Sequence, residues 1–188
     1  MYNSGFTLLH ALFMMNILRQ KIRCSDSKAT VLWFCFIVAA LVTLGRMLSD
    51  MYVPSLPEIG RDLLARSSEV KITVSCYLFG IILPQLFFGS LSDSIGRKKI
   101  ILFGLSLVLL GSSCCYFAKS LLLLYLGRLL QGFGIGAITP CARSILIDLY
   151  SGKSLVRLFS FIALVSSITP AVSPIIGAMV ANHFGWRS

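Results

Sequence analysis

Five apolar runs divide this chain: Ala29–Gly45, Ile72–Leu91, Ile100–Ala118, Leu121–Ile147 and Leu158–Phe184. Each approaches or exceeds the roughly 20 mainly apolar residues that cross a bilayer. Backbone groups in lipid must be satisfied within the segment, so runs of this kind are read as spanning helices. Hydrophobic residues make up 56% of the chain and charged residues 13%, the latter about half the share of a soluble domain. A chain of 188 residues could not bury so much apolar surface on itself, and lipid is expected to cover it. The fold class is therefore all-α: a polytopic transmembrane bundle with helices over 29–47, 72–91, 100–118, 121–147 and 158–184.

The net charge of +10 would suit a nucleic-acid partner if it formed one patch. Here the bases sit in the gaps between apolar runs, so no nucleic-acid binding is expected. They set an orientation instead. With the N-terminus in the cytoplasm, Arg19, Lys21, Arg23, Lys28, Arg97, Lys98, Lys99, Arg143, Lys153 and Arg157 lie inside. Arg61, Arg66, Lys71, Lys119 and Arg187 lie outside, which satisfies the positive-inside tendency. Residues 1–28 form a cytoplasmic extension ahead of a membrane domain over 29–188. Its apolar part, Phe6–Leu18, is too short to span, and its bases follow it, the wrong order for a secretory signal. It is either an interfacial helix or a dispensable extension, with Met14 or Met15 as an alternative start.

The six cysteines show no metal spacing, and the two histidines, His10 and His183, have no partner set. Phosphate loops, nucleophile elbows and zinc patterns are lacking, so neither an enzyme nor a bound cofactor is expected.

The stretch Gly89-Ser90-Leu91-Ser92-Asp93-Ser94-Ile95-Gly96-Arg97-Lys98-Lys99 reads as a short charged turn between the second and third runs. Its pattern, G-x-L-x-D-x-x-G-R-K, resembles the signature between helices two and three of the major facilitator superfamily of secondary transporters. Asp93 sits near the helix end, Gly96 permits a tight backbone and Arg97 offers a planar, bidentate donor. Asp148, at the inner end of the fourth run, matches a family acid and is an expected partner of Arg97. The resemblance implies that Gly89, Asp93, Gly96, Arg97 and Asp148 gate a conformational change, while Lys98 and Lys99 set orientation.

Arg128 lies about 10.5 Å of helix rise inside the fourth run. A charge there either faces a cavity or a partner, or snorkels to the headgroups. Gln131 is one turn on and shares its face. With Gly132, Gly134 and Gly136 they resemble the superfamily's fourth-helix motif R-x-x-Q-G-x-G. Asp50 stands where Pro54 and Pro57 break the first helix and free backbone groups. An acid at such a break suits proton handling, or else is a solvated and inert helix end. Asp50, Tyr52, Pro54 and Pro57 resemble the D-x-Y-x-P-x-x-P signature of the bicyclomycin- and chloramphenicol-resistance drug:proton antiporters, which implies proton coupling at Asp50. Arg46, one turn earlier, departs from that pattern and is expected to pair with Asp50, weakening it as a proton carrier.

The fifth run, Thr169-Pro170-Ala171-Val172-Ser173-Pro174-Ile175-Ile176-Gly177-Ala178, partly resembles the antiporter motif G-x-x-x-G-P-x-x-G-G. Thr169, Ser173 and Ala178 replace glycines, while Pro174 and Gly177 are retained. Pro170 and Pro174 are expected to kink the helix, and the small residues to admit a close neighbour. The family's inverted three-helix repeats pair Asp50 with Arg128 and Pro84 with Pro170 and Pro174, which allows an Asp50–Arg128 contact across a cavity.

The resemblance implies a multi-pass protein of the inner (plasma) membrane that exports lipophilic small molecules by proton antiport. The proton gradient would be its energy source and the bilayer its surroundings. Five helices are fewer than one six-helix half of such a transporter, so this chain is expected to be an N-terminal part requiring a missing half or a complementing chain. The alternative is a non-transporting remnant or a helix-binding partner of a split transporter.

Overall fold

The computed structural model describes residues 28–186; the extension expected over 1–28 lies, apart from Lys28, outside the described residues. Helix α1 covers Lys28–Asp50, a 3-10 turn Val53–Ser55, α2 Leu56–Asp62, α3 Ser67–Ile95, α4 Arg97–Tyr116, α5 Leu121–Leu149 and α6 Gly152–Phe184. No strand occurs among the described residues. Five stretches are long and apolar enough to cross a membrane: Phe36–Asp62, Ser67–Ile95, Arg97–Tyr116, Leu121–Leu149 and Gly152–His183.

Most of the helices outrun the apolar runs because polar residues extend them at their ends; α4 begins three residues early, at Arg97, but stops at Tyr116, two residues short of the expected end at Ala118. Helix α3 starts at Ser67 instead of Ile72, where Glu69 Oε2 accepts the Arg66 backbone N–H at 2.8 Å and satisfies a group the first turn leaves open. Helix α6 starts at Gly152 instead of Leu158 and runs on through Pro170 and Pro174. The charged turn expected over 89–99 is almost entirely helix. Gly89 and Asp93 lie within α3, Arg97 opens α4, and Gly96 alone separates them, at φ +99°. Side chains rarely adopt that backbone. A Cβ at Gly96 would meet nothing within 4 Å, so the cost of Gly96→Ala is conformational. We expect a loss of about 1–3 kcal/mol, read as a lowered melting midpoint in detergent; an unchanged midpoint would refute the assignment of the turn.

Helix α5 is the axis of the bundle. Of its most apolar window 56% is buried, against 28% or less for the other four spans. Glycines on two of its sides permit this. Gly132 and Gly136 lie against the backbone of α3 at Tyr77 and Ile81, and Gly127 and Gly134 against α4 at Gly111 and Gly104. Positions 132 and 134 are about 200° apart around a helix, so the two sets face opposite neighbours. Close backbone approach of this kind holds helices together in lipid, where burial of apolar surface gives no drive. Helix α6 packs chiefly on α1. It buries Ile162, Thr169 and Ser173 and sets Gly177 against the backbone of Met51.

Candidate functional site

Helix α1 ends at Asp50, and the last carbonyls of a helix lack intrahelical partners. The Met47 carbonyl is taken by the Met51 N–H and that of Ser49 by the Tyr52 N–H. The Leu48 carbonyl between them accepts from Arg128 Nη1 at 3.2 Å. Arg128 Cζ also sits 3.2 Å from the centroid of the Tyr52 ring, a cation–π contact. Arg128 is 6% exposed. Its charge therefore faces the C-terminal end of α1, where the helix dipole favours a cation. Tyr52 is fixed in turn by its hydroxyl, which donates to Thr73 Oγ1 at 2.9 Å. Gln131 Nε2 donates to Ser112 Oγ at 2.9 Å. Arg128 and Gln131 share a 230 Å3 cavity with Ser55, Ser112 and Trp186. Arg128 Nε and Gln131 Oε1 are buried without a protein partner among the described residues.

Asp50 belongs to a second cavity of 600 Å3, lined by α1, α3, α5 and α6 and including Arg46, Tyr77, Gln85, Arg143 and Phe159. The contact between Asp50 and Arg128 that the repeat symmetry allows is not made. Arg128 turns instead to the Leu48 carbonyl and the Tyr52 ring and lines the smaller cavity, while Asp50 lines the larger one. The expected pair of Arg46 and Asp50 is also not formed. Pro170 has no N–H, which leaves the carbonyl of Ser166, four residues earlier, open. Arg46 Nη1 reaches across to that carbonyl at 3.5 Å. Tyr77 closes the back of the cavity, donating from its hydroxyl to the Gly45 carbonyl.

At the other end of the bundle, the close of α3, the start of α4 and the close of α5 meet. Arg97 Nη2 donates to Asp93 Oδ1 at 3.2 Å and to Asp148 Oδ1 at 3.0 Å. These are the ion pairs found among the described residues. Lys98 and Lys99 are exposed. Gly89 is half-buried, and a Cβ there would meet nothing within 4 Å.

Sequence reasoning thus assembled the Asp93–Arg97–Asp148 cluster and put Gln131 beside Arg128, but gave no site role to Tyr52, Tyr77 or Ser112, and read Arg143 as an orienting base at an inner turn where the structure has it within α5, lining the cavity. Tyr52 had a signal available, since it stands inside the quoted D-x-Y-x-P-x-x-P string. Arg143 had a weaker one, as a base well before the end of the fourth helix.

Comparison with known proteins follows the same lines. Residues 32–188 match the family described as Major Facilitator Superfamily. Over 145 residues the chain is 34% identical to the uncharacterized MFS-type transporter YdgK of Bacillus subtilis strain 168, covering 77% of this chain and 36% of that protein. It is 31% identical to multidrug resistance protein D of Escherichia coli K12, with 79% and 38% covered. It is 34% identical to multidrug resistance protein MdtL of Escherichia coli O81, again with 79% and 38% covered. The chain spans less than two-fifths of the length of these relatives.

Proposed function

This chain belongs to the major facilitator superfamily, and from that footing we propose that it forms part of a proton-coupled multidrug exporter of the bicyclomycin- and chloramphenicol-resistance branch. The observation that carries the proposal is Asp50: a carboxylate in a membrane-capable span, lining a 600 Å3 cavity and held by no ion pair among the described residues. Cavities of that size accept drug-sized ligands. The relatives named for multidrug resistance support the substrate class, and the D-x-Y-x-P-x-x-P string supports the branch.

In this reading a lipophilic substrate enters the cavity and Asp50 gives up its proton, and the return stroke carries a proton in the opposite sense. Arg97, with Asp93 and Asp148, forms the lock of one conformation and breaks in the other. The chain lies in the inner (plasma) membrane with its N-terminus cytoplasmic, which puts the Arg97 cluster on the cytoplasmic side and the end of α1 on the other. It works with further helices of the same or a second chain, and no bound cofactor takes part.

The test is Asp50→Asn in everted membrane vesicles holding the native product. Drug-driven proton movement should fall to the level of vesicles without the protein, while the amount of folded protein stays the same. Undiminished coupling in the variant would remove Asp50 from the mechanism.

A further inference from the structure

The cavity around Asp50 carries more positive than negative side chains. Arg46 and Arg143 line it with Asp50, and so do Leu78, Ile81 and Phe159. Two guanidinium groups against one carboxylate leave the cavity net positive, which disfavours a ligand that is itself a net cation. Arg46 is already engaged with the Ser166 carbonyl. Arg143 makes no hydrogen bond or ion pair among the described residues and is exposed to the cavity.

The register of the helices places these charges. Gly45 of α1 lies against Ile135 of α5, and the two helices run in opposite directions in a bundle whose five spans alternate. Asp50 lies five residues beyond that level towards one end, and Arg143 eight residues beyond it towards the other. At 1.5 Å per residue their backbones are about 20 Å apart along the bundle. Helical side chains tilt towards their own N-terminus, so the long Arg143 side chain and that of Asp50 both lean into the gap. This leaves roughly 10 Å between guanidinium and carboxylate, with Leu78, Ile81 and Phe159 as apolar parts of the wall and Gln85 and Thr139 as polar ones.

We propose that this cavity selects amphipathic zwitterions, molecules with an ammonium for Asp50 and a carboxylate for Arg143 at the two ends of an apolar body. The proposal rests on the exporter reading for its transport sense, and it agrees with antiport, because the ammonium and the proton compete for Asp50. Lipophilic cations without an anionic end are then the weaker ligands.

The test uses the native product, with any further helices it carries, in phosphatidylcholine nanodiscs and 3-(aminomethyl)benzoic acid, a rigid zwitterion whose ammonium and carboxylate lie about 5 Å apart and, with a contact of about 3 Å at each end, fill the gap. Its methyl ester, a cation, and its N-acetyl form, an anion, serve for comparison, and binding is read by calorimetry. The zwitterion should bind about tenfold or more tighter than either capped form, the value of one charge-assisted hydrogen bond. Arg143→Gln should abolish the advantage over the ester, and Asp50→Asn the advantage over the N-acetyl form. Arg143→Lys keeps the charge and should keep the preference. Arg61→Gln, on exposed α2 outside the cavity, should change nothing. Equal or tighter binding of the ester overturns the proposal, as does no measurable binding of the zwitterion, a preference that survives Arg143→Gln, or one lost in Arg61→Gln. Binding needs no gradient, so a retained preference without export counts against the exporter reading alone. Export with no preference counts against this inference alone.

Discussion

Gly132→Val will prevent α3 and α5 from closing, and little monodisperse protein will be recovered in detergent. A Cβ at Gly132 would meet the carbonyl oxygen of Tyr77 at a distance real Cβ atoms do not show, and the α-carbon of Gly80 at 3.1 Å. Both neighbours are backbone, so neither can swing aside as a flexible side chain would. Overpacking an ordinary core costs about 1–3 kcal/mol, where side chains absorb the insertion; here the helices themselves must separate. The comparison that isolates the effect is Gly89→Val, on α3, where an added Cβ meets nothing within 4 Å. That variant should melt close to the parent. Fluorescence-detected size exclusion after a temperature series reads both. If Gly132→Val melted like the parent, the account of α5 as a glycine-lined axis would be wrong.

The second large effect is expected at Arg128. Its alanine variant leaves the Leu48 carbonyl and the Tyr52 ring without their partner and a gap where a long side chain was. Burying a guanidinium is itself costly, so removing it relieves some desolvation. The open carbonyl, worth about 1–3 kcal/mol, and the lost cation–π contact, worth up to about 2 kcal/mol, outweigh that relief because nothing refills the space. We expect a net loss of about 2–4 kcal/mol. The loss has an address. Amide exchange should accelerate across Leu48–Ser55, where Arg128 caps α1, and remain unchanged around the Arg97 cluster at the far end. Uniform acceleration over the whole chain would mean that Arg128 does not act through the end of α1. Arg128→Lys keeps the charge but not the planar stack on Tyr52, and should fall between the two.

The number and kind of spans were legible in the sequence because the apolar runs are long and almost free of charge, a signal that needs no partner to read. Their ends were not, because a helix continues as long as its terminal groups find partners. Glu69 supplies one for α3, and nothing about its position ahead of the run Ile72–Leu91 announces that. The turn at Gly96 was legible as a glycine position but not as a single-residue break. Of the candidate site, the Asp93–Arg97 spacing is a local helix-face relation, visible in any sequence, and Asp148 came from the motif. Arg128 on Tyr52 is a contact across 76 positions that only the fold creates. The Asp50–Arg128 contact was allowed by symmetry between repeats and is not made, because Arg128 goes to the end of α1 and to Tyr52 while Asp50 lines the other cavity. The Arg46–Asp50 pair had the right spacing, and lost to a carbonyl that Pro170 opens on a different helix.

The central place of α5 also bears on how the chain is made. Helices α3 and α4 contact each other little and α5 extensively. During synthesis they leave the ribosome and enter the membrane before the helix that joins them exists. Until Leu121–Leu149 has been threaded between them, they have no stable arrangement with each other, and their glycine notches at Gly80, Gly104 and Gly111 face lipid. Assembly therefore has an obligatory order, with a waiting period set by translation from the end of α4 to the end of α5. A pause in that window would expose the chain to membrane quality control at the stage when it has spans but no interior.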